Sequence, residues 1–163
     1  MNPFLVLEHV NLFCGTENPG SDVSNHLILN ELQLPKLAEQ YIDHRPGGAP
    51  VAVEVDVILQ HLEASFSLLG VQPQVMRLLR PYSRQQTWFV ALGVLRDPDS
   101  GDFTQAMAQM QGRLGTVEPQ NWQRGQPFHT HYAIRSIVQY RLTVAGYGNI
   151  VTWDFYNNFI DVG

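Results

Sequence analysis

The chain has 163 residues, of which 44% are hydrophobic and 15% charged, with a formal net charge of −5. That length suits one domain spanning 1–163, and so few charges leave a lone chain poorly equipped to cover its own surface. The acidic balance argues against tight binding to nucleic-acid phosphates, while an acidic wall past which DNA slides without adhering stays compatible with it.

The start, MNPFLVLEHVNLF, lacks a basic segment followed by a long apolar run, and no stretch approaches the ~18 apolar residues of a membrane span. The expectation is a chain made in the cytosol with no membrane insertion. A first strand is predicted near 4–13. Cys14 is the only cysteine, which excludes an intrachain disulfide and a cysteine-rich zinc site, and it reads as a small semi-buried hydrophobe. Residues 14–26, with Pro19-Gly20, read as a turn or mobile loop.

In LILNELQLPKL at 27–37 only the second half alternates, Leu32 and Leu34 against Glu31 and Gln33, and Pro35 suits an edge or a strand end. Residues 38–50, with Pro46-Gly47-Gly48 and no clear period, are predicted to form a loop. Val51, Val53, Val55, Val57 and Leu59 then recur at period 2 and are expected to face the core, with Ala52, Glu54, Asp56 and Gln60 on the other face and Ile58 as the exception. Leu62, Ala64, Phe66 and Leu68 continue the alternation, as a second strand or the far end of one bent strand.

Gly70 breaks the pattern, and Pro73 opens a short helix over about 73–80, which ends before Pro81. Residues 87–95 read as a strand, 97–102 as a hairpin turn and 103–118 as its long partner, with Ala106, Ala108, Met110, Gly112 and Leu114 on one side. The strongest alternation is Tyr132, Ile134, Val138, Tyr140, Leu142 and Val144, interrupted at Ser136 and Ile137. A Gly146-Tyr147-Gly148-Asn149 turn leads into a strand at 150–155. The fold class is mainly β: an antiparallel sandwich or open barrel with one short helix.

Chemical motifs are few. His129-Thr130-His131 puts two imidazoles on one face of an extended chain, yet no Asp, Glu or Cys near in sequence completes a metal site, so no metal is expected. Asp97, Asp99 and Asp102 around Gly101 lack the spacing and closing Glu of a calcium loop, and a hairpin turn accounts for them. No nucleophile-and-base pair, phosphate loop or dinucleotide fingerprint occurs, so neither catalysis nor a cofactor is expected. Trp122 reads as a buried anchor before a strand. Arg135 and Arg141 share one strand face, as a solvated or partner-facing surface.

LPKL at 34–37, RPGGAPVAVEVD at 45–56 and LEASFSLLG at 62–70 resemble, in order, the major tail tube proteins of contractile-tailed phages and of R-type pyocins. NLF at 11–13, EPQNWQRGQ at 118–126 and QYRLTVAG at 139–146, followed by an Ile-Val-Thr-Trp-Asp strand and Asn157, extend the resemblance over nearly the whole chain. The sequence departs from that family in a longer segment at 14–31, a shorter glycine loop and a stop at Gly163 where relatives continue.

The resemblance implies a structural subunit whose hexameric rings stack into the inner tube of a contractile tail, their inner strands closing a continuous β-barrel. Its implied partners are its own copies, the tail sheath, tape measure and tube-end proteins, and double-stranded DNA passing without tight binding. The glycine loop His44, Arg45, Pro46, Gly47 and Gly48 is expected to reach a neighbouring subunit or ring. Glu54, Asp56 and Glu63 are expected to line the lumen. A tube of a phage-derived bacteriocin or injection device fits the same residues. Two readings from other classes are a nucleic-acid-binding β-barrel and a metal hydrolase using His129 and His131.

Overall fold

The computed structural model describes residues 4–15 and 23–163. In chain order they form β1 (Val6–Gly15), β2 (Val23–Ser24), β3 (Leu29–Gln33), β4 (Glu39–His44), β5 (Val53–Leu59), β6 (Ala64–Leu69), α1 (Pro73–Met76), β7 (Thr87–Arg96), β8 (Phe103–Pro119), β9 (His129–Val144), β10 (Gly148–Asp154) and β11 (Phe159–Val162). The main sheet is antiparallel, in the order β11-β10-β9-β8-β7-β1-β2, with β6 also paired to β9 and β3 to β6. The remaining two strands, β4 and β5, form a hairpin of their own. The Pro19-Gly20 turn lies outside the described residues, and the ends of its segment belong to β1 and β2.

The long strands β8 and β9 organise the chain because each serves two layers. The first part of β8 pairs with β7, and the last part of β9 pairs with β10, whereas His129 to Ile134 of β9 pair with β6. Between these halves the β8–β9 ladder slips, once between Gln111 and Arg113 and once between Leu114 and Thr116. Ser136 takes the left-handed region with φ 53°, so the interruption visible in the sequence at Ser136-Ile137 is a bulge. A Cβ on Gly112 would lie 3.0 Å from the Arg135 carbonyl oxygen and 3.2 Å from Ile137 Cγ1, so only glycine lets the strands approach at the bend. Bent here, the sheet folds over itself as an open sandwich and does not close into a barrel within one chain.

Alternation puts one side of each strand between the layers. Cross-strand rows run Leu12, Ala91, Ala108, Leu142 and Val151, then Cys14, Phe89, Met110, Tyr140 and Trp153. From the facing layer come Ala64, Phe66 and Leu68 of β6 with Tyr132 and Ile134 of β9. Phe66 stacks on Tyr132 with ring centroids 4.9 Å apart and meets Phe89 at 6.3 Å. Each large side chain buried this way stabilises the fold by roughly 1.5–3 kcal/mol.

Four expectations need correction. The helix is shorter than 73–80: regular α1 ends at Met76, and the N–H groups of Leu78 and Leu79 close tighter turns onto the carbonyls of Val75 and Met76. Residues 39–44 are a strand, not a loop; every side chain of β4 is exposed, so burial left no period to read. The valines of β5 are not core, with Val53 55%, Val55 40% and Val57 52% exposed. Trp122 is 73% exposed and tilts against Phe128 at 5.7 Å, so it is no buried anchor.

Candidate assembly surfaces

The β4–β5 hairpin has two unlike faces. His44 lies opposite Val53, Ile42 opposite Val55 and Gln40 opposite Ile58, and a bulge leaves Val57 unopposed, which makes one face largely apolar. On the other face Asp43 lies opposite Glu54 and Tyr41 opposite Asp56. The Tyr41 hydroxyl donates to Glu39 Oε2 at 2.7 Å. That bond and the charge of Glu39, with Asp56 and Glu54 adding to it, hold the phenol above its ordinary value.

Neither face explains the hairpin from within its own chain. Like charges directly opposite, as at Asp43 and Glu54, destabilise a strand pair, and a lone two-stranded hairpin is at best marginal in water. An exposed β-branched face of this kind is what a protein buries against a partner. At the tip, the Ala49 N–H donates to the Pro46 carbonyl at 3.0 Å and Gly48 has φ 81°. The loop of His44, Arg45, Pro46, Gly47 and Gly48 is therefore the end of an arm.

The main sheet offers a second surface. Strand register puts Gln105 and Gln111 of β8, Gln139, Arg141 and Thr143 of β9, and Thr152 and Asp154 of β10 on the side away from the core, with Gln109 of β8 on the same side but buried. Asp154 accepts bonds from Asn157 Nδ2 at 2.7 Å and the Tyr156 N–H at 2.9 Å, which hold its carboxyl below the usual range and tie β10 to β11. In β11, Ile160 and Val162 continue the core-facing rows of Trp153 and Val151 but remain exposed.

Three edges of the main sheet are open among the described residues. The outer edge of β11 has no strand beside it, β3 pairs with β6 alone, and β2 covers β1 only at Phe13 and Cys14. Unpaired edges with apolar side chains template further pairing. This edge and the glutamine-rich face escaped sequence reasoning. The recurrence of glutamine at 105, 109 and 111 carried the signal for the face; β11 is too short to show a period.

The other candidate residues are dispersed. Glu63 forms an exposed ion pair with Arg135, Nη1 to Oε1 at 3.5 Å, while Glu54 and Asp56 sit on the arm. Since the valines behind them are exposed, a buried face does not tie those two carboxylates to a wall. His129 and His131 flank buried Thr130, whose hydroxyl donates to the Gly70 carbonyl at 2.9 Å. Among the described residues, no three or more His, Cys, Asp or Glu side chains gather in a way that could hold a metal. Asp97 and Asp102 shape the β7–β8 turn, where the Asp97 N–H donates to the Asp102 carbonyl at 2.9 Å.

Against known proteins, a family profile described as "Phage tail tube protein FII" matches residues 20–163. A chain in a solved structure described as "Cryo-EM structure of the anti-feeding prophage (AFP) baseplate, 6-fold symmetrised" has a similar fold. The two superpose with a TM-score of 0.53 at 13% identity, over 87% of this chain and 97% of that one. No curated protein matches the sequence.

Proposed function

The chain belongs to the phage tail tube protein FII family, and from that membership we propose that it builds hexameric rings that stack into a hollow conduit for DNA. As a member it is a structural component of a phage tail tube, in a virion or a phage-derived particle. Residues 1–163 act as one tube domain. The observation that carries the reading is a pair of open edges: β11 of one copy and β1 of the next can join their sheets, satisfying both backbones and covering Ile160 and Val162. Six-fold symmetry in the particle that holds the similar chain is in keeping with a six-membered ring.

On this reading the side of the sheet away from the core becomes the channel wall. Its glutamines and threonines are neutral, and Arg141 is balanced by Asp154, so phosphates sliding past gain no counterion release and little adhesion. The arm, with residues 44–48 at its tip, reaches a neighbouring copy. Sheath, tape measure and tube-end proteins are the further partners of such a tube, which is made in the host cytoplasm. In a bacteriocin or injection device the same tube would serve without a genome; neighbouring capsid and DNA-packaging genes would separate the two.

Negative-stain electron microscopy of the purified full chain tests the proposal. Rings or hollow tubes with six-fold end views are expected. A protein that stays monomeric at every concentration, or forms only solid fibres, would overturn it.

A further inference from the structure

Charge is segregated along this chain in a way that net charge conceals. Glu39, Asp43, Glu54 and Asp56 project from the arm, and no Asp or Glu occurs between Glu63 and Asp97, a stretch that contains Arg77, Arg80 and Arg84. Those three arginines lie on the exposed loop between α1 and β7. Arg113 braces the loop, donating from Nη2 to the Arg80 carbonyl at 3.2 Å. Among the described residues, neither the four arm carboxylates nor these arginines take part in an ion pair.

The same loop presents apolar groups. Tyr82 is fully exposed with φ 64°, and Leu79 beside it is exposed too. An L-residue in the left-handed region is strained, and at Tyr82 the strained backbone carries a ring that its own chain leaves uncovered. Tyrosine and arginine are the side chains that most often anchor protein interfaces. A basic loop with an aromatic tip thus complements an arm with one acidic and one apolar face.

We propose that the 77–84 loop is the receptor for the hairpin arm of a second copy. Arg77, Arg80 and Arg84 meet the arm's acidic face, which relieves the repulsion between Asp43 and Glu54. Tyr82 and Leu79 cover apolar residues at the arm's margin. Complementary charge across such a contact also fixes its register and rejects wrong pairings. The proposal rests on the tube-subunit reading and adds the identity of the surface that receives the arm.

Charge reversal on each side, alone and combined, provides the test. Glu54→Lys with Asp56→Lys, and separately Arg80→Glu with Arg84→Glu, should each lower the yield of sedimentable tubes at least about tenfold, the effect of losing desolvated charge pairs. All four substitutions together should restore it. Thermal melts matching the unaltered chain establish that each variant folds. If either reversal assembles normally, or the combination fails to recover, the pairing is wrong.

A cross-link separates this failure from failure of the tube reading. Chains with Asp56→Cys mixed with chains carrying Arg84→Cys should give covalent dimers under mild oxidation, with Cys14 buried in the core. Tubes without such dimers overturn the pairing and leave the tube reading standing. Dimers from a protein that never makes tubes do the reverse, and neither product overturns both.

Discussion

Single residues divide by whether their own chain covers them. Phe66 is 2% exposed between Tyr132 and Phe89, so Phe66→Ala should cost about 3–5 kcal/mol, read as a lower urea midpoint with unchanged slope. Val55, despite its place in the clearest alternation of the sequence, behaves oppositely. Val55→Asp should leave a soluble monomer within about 0.5 kcal/mol of the parent, while tube formation is lost; aggregated, unfolded protein would return Val55 to the core. Burial of Tyr140 raises its phenol from 10.0 to about 12. The folded state thus prefers the neutral phenol, and the stability this contributes is complete below pH 10 and is lost as pH rises toward about 12. Tyr140→Phe should flatten that alkaline fall, as followed by melting temperature against pH.

At the scale of elements, strands were legible where a strand buries one face inside its own chain. Alternation at 62–68, 103–118 and 129–144 marks β6, β8 and β9 because Phe66, Met110 and Tyr132 are each enclosed by the same molecule. The same period at 51–59 gave β5 correctly and its burial wrongly, since a period of two does not say which copy supplies the cover. No period marked β4, whose partner is β5 alone, and Trp122 had no repeating context to show that it faces solvent. The proline-glycine run at 46–48 announced a turn, and structure adds that the turn ends an arm. Deleting residues 44–48 should therefore preserve the core and its melting temperature while abolishing stacking; tubes of normal length would refute a role for the tip. At the opposite kind of glycine, Gly112→Ala should destabilise the bend by about 1–3 kcal/mol, because its Cβ would come nearest the Arg135 backbone carbonyl, which cannot swing aside, and would also crowd the side chains of Ile134 and Ile137.

For the whole molecule, the proposed wall makes a prediction that the monomer's stability cannot. Attraction to DNA repeated on every ring would add into friction even where each contact is weak. Gln105→Lys with Thr143→Lys lies on the side away from the core and should permit assembly yet slow DNA ejection from the particle. The delay should shrink as salt rises, since screening shortens the reach of each new charge. Ejection with unchanged kinetics at every salt concentration would place the wall elsewhere.

The bend at Gly112 and Ser136 bears on mechanics. Because β8 and β9 run unbroken through both layers, a pull on one layer passes to the other along covalent backbone, and not only across side-chain contacts. Sliding the layers apart would require tearing the β8–β9 ladder, whose hydrogen bonds share the load along its length. A tube of such subunits would meet a sudden axial thrust as one stiff body, and its weakest planes would lie between copies.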